Sequence, residues 1–191
     1  MPMTECQLIE KCRRQDRKAQ KELYELYARK MLSVCMRYSN DVETARDLLQ
    51  EGFIKVFTSL DSFQFAGSLE GWIRRIMVNT ALEYLRRHDL LRDAVDITDC
   101  STSVSSGCSA LEALSAEDLM KLVRNLPPGF RAVFNLYAIE GYSHKEIAEM
   151  LGITDVTSRT QYSRAKKILQ KQILKIETIN SLACSNVYEE R

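Results

Sequence analysis

The amino-acid sequence predicts an all-α protein made of two small helical modules joined by a flexible acidic linker. Proline occurs only at Pro2, Pro127 and Pro128, and the chain has 7 glycines, so few positions interrupt a helix. Apolar residues recur at helical spacing through most of the chain, and the alternation typical of strands is absent. Hydrophobic residues make up 45% of the 191 positions, which is enough to build a core.

The first module covers residues 1–92 and contains four predicted helices. Helical periodicity extends over about residues 4–14, 18–38, 42–60 and 69–88. Asp41 and Ser68 stand immediately before the third and fourth of these segments. Because their side-chain oxygens can accept a hydrogen bond from the first turn of a helix, we expect helices to begin directly after them.

Residues 93–111 form the predicted linker. Periodicity is lost over residues 97–110, where Ser, Thr and Gly dominate and too little apolar surface is available for folding. From residue 93 to residue 120 the chain carries acidic side chains and no basic one. Fully extended, the linker reaches about 60 Å at ~3.3 Å per residue. Both modules can therefore bind one extended partner at the same time.

The second module covers residues 112–176 and contains a series of helices broken at residues 127–129, at Gly141 and at Gly152. The last helix is long and basic, and we expect it to extend from Asp155 to about Ile176. It carries Arg159, Arg164, Lys166, Lys167, Lys171 and Lys175 against the single acid Asp155. Residues 177–191 are expected to form a C-terminal tail. This segregation of charge indicates an anionic partner for the basic helix.

The composition argues against several classes of protein. Every apolar run is cut by a charge before it reaches the length of a membrane span, so no membrane insertion is expected. The charged N-terminus shows no secretory signal, which predicts a cytoplasmic protein. The 6 cysteines include no C-x-x-C pair, and neither His88 nor His144 is near them, so we predict no metal site and no cofactor.

The sequence also lacks the signatures of an enzyme. Neither histidine has a serine, cysteine or carboxylate at a motif spacing, and no glycine-rich loop that could cradle a phosphate is present. We therefore expect no catalytic residue and no small-molecule substrate.

Residues 143–153 carry the clearest local signature, that of a helix-turn-helix. Ser143 and Glu146 form a capping-box pair, which starts a short helix. Ala148 is small enough for a second helix to cross closely over it. Gly152 can adopt a positive φ and end the first helix, so the chain turns sharply into the next one. In this arrangement the second helix enters the major groove of DNA.

The faces of the basic helix differ in chemistry. At 100° per residue, one face carries Arg159, Thr160, Ser163, Arg164, Lys167 and Lys171. The opposite face carries Tyr162, Ala165, Ile168, Leu169 and Ile173. A basic face alone is more often simply solvated, but the capped helix and the Gly152 turn before it favour DNA binding. Ser158 stands where an apolar residue is usual, so we expect packing there to depend on Tyr162.

The predicted helix 69–88 has a face rich in recognition groups, namely Trp72, Arg75, Asn79, Glu83 and Arg86. The preceding loop places Phe63 and Phe65 beside the flexible Gly67. Aromatic rings, arginine and asparagine are the groups that stack on unpaired bases and contact phosphate and base edges. The alternative is that Trp72 and both phenylalanines simply belong to the core.

The predicted helix 42–60 buries Ala45, Leu48, Leu49, Gly52, Phe53 and Val56 on one side. Its other side carries Glu43, Asp47, Gln50, Glu51 and Ile54. An apolar Ile54 among carboxylates indicates a protein-binding patch. The alternative is an ordinary solvated acidic face.

Together, these segments resemble the extracytoplasmic-function (ECF) sigma factors of bacterial RNA polymerase, which belong to the sigma-70 family. Residues 45–53 are similar to the family's core-binding helix, and residues 63–87 are similar to its reader of the −10 promoter element. Residues 126–131 and the helix-turn-helix that follows are similar to its −35 module. Three motifs in the family's order are more specific than any one of them.

The resemblance implies that the chain performs no catalysis, and that it brings polymerase to a promoter and helps to melt the DNA. The implied contacts with core polymerase are Asp47, Leu48, Gln50, Glu51 and Ile54. The implied −10 contacts are Phe63, Phe65, Trp72, Arg75, Asn79 and Arg86. The implied −35 contacts are Arg159, Thr160, Ser163, Arg164, Lys167 and Lys171. The implied partners are core RNA polymerase through its β and β′ subunits, promoter DNA and an anti-sigma factor.

Two other classes of function are compatible with parts of the sequence. A two-module regulator that binds duplex DNA without polymerase would need neither the patch around Ile54 nor the aromatic loop. An all-helical adaptor would show no salt-dependent binding to DNA.

Overall fold

The computed structural model describes residues 4–88 and 115–188, with the backbone alone for residues 116–117 and 177–188. The chain divides into two compact units, residues 1–88 and 89–191. The described residues form helices and connecting turns without a strand, which confirms the predicted fold class. The predicted linker, residues 93–111, lies outside the described residues.

The first unit contains four α-helices. They are α1 (Glu5–Arg13), α2 (Arg17–Cys35), α3 (Val42–Ser59) and α4 (Leu69–Arg87), with a short 3-10 turn (Leu60–Ser62) after α3. The Asp41 carboxylate accepts a hydrogen bond from the backbone N–H of Thr44, and the Ser68 hydroxyl accepts one from Gly71. Both predicted caps are confirmed. Thr4 and Asp16 cap the first two helices in the same way.

The core of the first unit lies between α2, α3 and α4. Leu23 from α2, Phe53 from α3 and Ile73 from α4 are almost completely buried. Gly52 on α3 faces the fully buried Met77 on α4, and a Cβ added at Gly52 would overlap the Met77 sulfur. The missing side chain therefore allows α3 and α4 to approach closely.

The described part of the second unit contains α5 (Ala116–Arg124), α6 (Pro128–Phe134), a π-helical turn (Asn135–Ile139), α7 (His144–Leu151) and α8 (Asp155–Tyr188). Gly152 ends α7 with φ +67° and ψ +33°, as its position in the sequence predicts. The predicted end of α8 is wrong, because the helix continues through residues 177–188, which we expected to be a tail. No glycine or proline follows Gly152, so no residue there stops the helix.

Helices α5 and α6 pack against α8. Their shared core contains Leu122, Val123, Leu126, Phe130, Ala165 and Leu169. Arg131 on α6 is 1% exposed, and its guanidinium donates a hydrogen bond of 2.7 Å to the carbonyl of Arg124 at the end of α5. Desolvation lowers the pKa of Arg131 to about 10. This buried arginine satisfies one of the last carbonyls of α5 and joins two helices.

Gly52→Ala should destabilise the first unit by about 1–3 kcal/mol, because the new methyl group overpacks against Met77. Fluorescence of Trp72, the single tryptophan, reports the unfolding of this unit during urea titration. Gly67→Ala is the matched control, since nothing lies within 4 Å of its added Cβ. Equal stability of the two variants would show that the Gly52–Met77 contact does not limit the approach of the helices.

Candidate nucleic-acid and protein interfaces

The outer face of α3 carries the predicted protein-binding patch. Asp47 and Gln50 are exposed, and Ile54 is 64% exposed beside them. Leu48 does not belong to this patch. Its side chain is 2% exposed because it lies on the core side of α3, so its predicted contact with a partner is corrected to a packing role.

Glu51, at the edge of the patch, belongs to a network of ion pairs between α3 and α4. The Lys55 ammonium lies 3.0 Å from Glu51 and 2.7 Å from Glu83, and Arg87 lies 3.6 Å from both carboxylates. The hydrogen bond from Lys55 lowers the pKa of Glu83 below its ordinary range. The i,i+4 spacings Glu51–Lys55 and Glu83–Arg87 are visible in the sequence, but the contact between the two helices is not.

The outer face of α4 presents the predicted recognition groups together. Arg75, Asn79 and Arg86 are exposed, and Trp72 is half-buried at the start of the same stripe. These side chains therefore share one accessible surface of the first unit.

The two phenylalanines in the loop before α4 lie with ring centroids 5.0 Å apart but differ in exposure. Phe63 is 4% exposed, so its predicted contact with DNA is corrected to a role in the core. The centroid of its ring lies 5.4 Å from that of Trp72 in a tilted arrangement. Phe65 is 45% exposed and adopts φ +57°, a left-handed conformation that is unfavourable for a bulky residue.

Arg13, from α1, holds this loop in place and was not singled out from the sequence. Its guanidinium donates a 2.6 Å hydrogen bond to the carbonyl of Phe63 and a longer one to that of Leu60. The guanidinium carbon lies 5.5 Å from the centre of the Phe65 ring, which is close enough for a cation–π interaction. Since Arg13 lies about fifty residues before the loop, sequence spacing gives no signal for this contact.

Helices α7 and α8 form the predicted helix-turn-helix. The Ser143 hydroxyl accepts a hydrogen bond from the Glu146 backbone N–H, and the Glu146 side chain accepts one from the Ser143 backbone N–H. Ile147, Ala148 and Leu151 are buried. The capping box is therefore confirmed, and Ala148 lies on the buried side of α7.

A polar and aromatic cluster joins the two helices of this motif. Ser158 is completely buried, and its Oγ is hydrogen-bonded to Nδ1 of His144 at 2.9 Å. The His144 ring stacks on Tyr137, with centroids 4.3 Å apart, and Tyr162 lies 4.6 Å from Tyr137. Tyr162 thus packs as expected, while His144 supplies the partner that a buried hydroxyl requires.

The outward face of α8 matches the predicted DNA-binding face. The exposed residues on it are Arg159, Thr160, Ser163, Arg164, Lys167 and Lys171. Ala165 and Leu169 on the opposite face are buried, and Ile168 and Ile173 are half-buried. Positive charge and hydrogen-bond donors are therefore concentrated on the accessible side of this helix.

Two features are absent from the described residues. No group of three or more His, Cys, Asp or Glu side chains is arranged to hold a metal ion. None of the helices in the described part of the chain is long and apolar enough to cross a membrane.

Comparison with known proteins gives two family matches in the order expected. The family described as Sigma-70 region 2 matches residues 23–90, and Sigma-70 region 4 matches residues 116–169. The ECF RNA polymerase sigma factor SigE of Mycolicibacterium smegmatis is 34% identical over 162 residues, which are 81% of this chain and 61% of the relative. The chain belongs to the ECF group of the sigma-70 family.

Other relatives match this chain over most of their own length. The ECF RNA polymerase sigma-E factor of Escherichia coli is 29% identical over 184 residues, covering 90% of this chain and 95% of the relative. A solved structure of the sigma factor RpoE with the anti-sigma factor NepR from Bartonella quintana has a similar fold. Its TM-score is 0.50 at 23% identity, and the match covers 80% of this chain and 95% of that chain.

Protonation of His144 should destabilise the helix-turn-helix of this sigma factor. Burial, and then the nearby Arg159, lower the pKa of His144 below its ordinary value of 6.5, although Asp155 opposes the shift. The unfolded chain therefore binds a proton more readily than the folded chain. The free energy of unfolding should fall as the pH decreases below about 6.5, until the folded His144 is also protonated.

Nuclear magnetic resonance titration of the imidazole signals tests this prediction, with His88→Gln and His144→Gln to assign the two histidines. The His144 midpoint should lie below 6.5 in the folded protein and return to about 6.5 in urea. A folded midpoint above the value in urea would contradict the prediction. The His144→Gln variant should also show a weaker loss of stability between pH 7 and pH 5.

Proposed function

We propose that this sigma factor binds core RNA polymerase, directs it to specific promoters and assists in melting the promoter DNA. The observation that carries the proposal is the ordered pair of sigma-70 regions, each with an accessible polar face on a helix whose other face is buried. A regulator that works without polymerase is disfavoured, since region 2 and region 4 occur together. The chain contributes recognition, and the polymerase performs the chemistry in the cytoplasm.

The face of α3 is proposed as the contact with the β and β′ subunits of the polymerase. Asp47 and Gln50 supply charge and hydrogen bonding, and Ile54 supplies an apolar centre that loses water on binding. Glu51 would contribute only from the edge, because Lys55 and Arg87 already occupy its carboxylate.

The face of α4 and the adjacent loop are proposed as the surface for the −10 element. Phe65 and Trp72 offer ring faces for stacking, while Arg75, Asn79 and Arg86 offer donors to phosphate and base edges. The left-handed backbone of Phe65 costs on the order of 1–3 kcal/mol, and such strain is concentrated at functional sites. Arg13 holds the loop in the conformation that keeps this ring exposed.

The outward face of α8 is proposed to read the −35 element in the major groove. Arg159, Thr160, Ser163 and Arg164 lie toward the N-terminal end of the helix, where base edges are reached. Lys167 and Lys171 lie farther along and would contact phosphates. An anti-sigma factor is proposed as a further partner, because such a protein accompanies the sigma factor of similar fold.

Replacing Asp47→Arg together with Gln50→Arg should weaken binding to core polymerase by about 10-fold or more, because the change inverts the charge of the proposed contact surface. Fluorescence anisotropy with labelled sigma factor and purified core polymerase measures the affinity. Glu22→Arg with Glu25→Arg is the matched control, since both residues are exposed on α2 outside the proposed surface. Unchanged affinity of the α3 variant, with helicity intact, would refute the proposed polymerase contact.

Asn79→Ala should slow the formation of open promoter complexes, because its amide lies on the face proposed to meet the opened strand. The rate is measured by permanganate reactivity of unpaired thymines on a linear promoter. On a template already mismatched across the melted region, the defect should largely disappear. An equal defect on both templates would instead indicate a structural role for Asn79.

A further inference from the structure

Asp155, the first residue of α8, bonds directly to an arginine on the face proposed to read DNA. Its Oδ2 accepts a hydrogen bond of 2.8 Å from Nε of Arg159, one turn along the helix. The side chain of Arg159 remains 65% exposed, and that of Asp155 is 41% exposed. The pair therefore lies at the accessible N-terminal end of the recognition helix.

An acidic residue in the first turn favours the helix through its dipole, but the fold does not require this carboxylate to bond Arg159. The helix is capped by Thr154, whose hydroxyl accepts a hydrogen bond from the backbone N–H of Thr157 at 3.0 Å. Exposed ion pairs one turn apart contribute little to stability. Within the described part of the chain, Oδ1 of Asp155 is buried without a hydrogen-bond partner. A carboxylate near DNA also repels phosphate, so it should be a disadvantage on this face.

The geometry of the bond suits the recognition of guanine. Guanine is read by an arginine that donates two hydrogen bonds to O6 and N7 of the base. Because Asp155 occupies Nε, the Nη1 and Nη2 groups of Arg159 remain available at the outer end of the guanidinium. The ion pair also restricts the rotation of a long side chain before DNA arrives, which reduces the entropy lost on binding.

We propose that Asp155 is a positioning residue that holds Arg159 for bidentate recognition of a guanine in the −35 element. The inference rests on the proposed function, because it requires α8 to lie in the major groove. The carboxylate also offsets part of the arginine's charge, so that Arg159 binds phosphate less and base edges more. Asp155 thereby lowers the general affinity for DNA and raises the selectivity at one base.

The test uses holoenzyme formed from the full chain and core polymerase, with a promoter selected from a library in which the −35 element is randomised. Every single-base change in that element is then competed against the selected sequence. The variants are Asp155→Ala, Asp155→Asn, Arg159→Ala and the Asp155→Ala/Arg159→Ala double variant. Glu25→Gln is the control, because Glu25 pairs with Lys21 one turn away on α2, outside every proposed surface.

Arg159→Ala should abolish the preference for guanine at one position, a preference of roughly 10-fold or more for a bidentate contact. Asp155→Ala should reduce the preference at that same position by at least about 3-fold, while binding to other sequences becomes tighter. The double variant should show the same preference at that position as Arg159→Ala alone, because Asp155 acts on the base only through Arg159. Asp155→Asn removes the charge with almost no change of shape. If the alanine variant loses helicity, the base preference of Asp155→Asn tests the inference instead.

Two results would overturn the inference. If the base preferences of Asp155→Ala and Asp155→Asn equal those of the wild type, the ion pair has no role in recognition. If the loss falls at a different position, or persists when Arg159 is already absent, Asp155 itself contacts a base, such as the amino group of cytosine. Failure of the proposed function gives a different result, since wild-type holoenzyme would then select no −35 sequence at all.

Discussion

Each long helix of this sigma factor can bury only one of its sides, and the arrangement of the binding surfaces follows from this constraint. Helix α3 places Leu48, Phe53 and Val56 in the core, and this leaves Asp47, Gln50 and Ile54 facing outward. Helix α8 buries Ala165 and Leu169 and thereby exposes its arginines and lysines. The hydrophobic core of each unit thus determines the direction in which the polar groups point.

The sequence allowed the helices, their caps and the turn at Gly152 to be predicted because these depend on residues a few positions apart. Helical periodicity also placed the faces of α3, α4 and α8 correctly. The periodicity of α3 places Leu48 on the core side, in agreement with the structure, whereas the family resemblance implied a contact with polymerase. The sequence did not show which of Phe63 and Phe65 is buried, because both are aromatic residues in one loop. Their exposure depends on contacts with residues outside the loop, such as Trp72 and Arg13.

Sequence patterns could not predict the contacts between segments that lie far apart in the chain. The bond between His144 and Ser158 joins α7 to α8, and neither residue has a spacing that identifies the other as its partner. The buried hydroxyl of Ser158 needs a hydrogen-bond partner, but the sequence offers several nearby residues that could supply one. Helix α8 extends beyond the predicted end near Ile176 to Tyr188, and residues 177–188 contain no glycine or proline that would interrupt it.

The ion-pair network between α3 and α4 has a consequence for the response of this protein to salt. Lys55 and Arg87 are cations near the proposed promoter surface, yet Glu51 and Glu83 already neutralise them within the folded chain. Binding of DNA releases condensed counterions only in proportion to the phosphates that protein cations neutralise. Residues already paired inside the protein add little to that number. On the proposed promoter surface of the first unit, salt should therefore act through Arg75 and Arg86 rather than through Lys55 and Arg87.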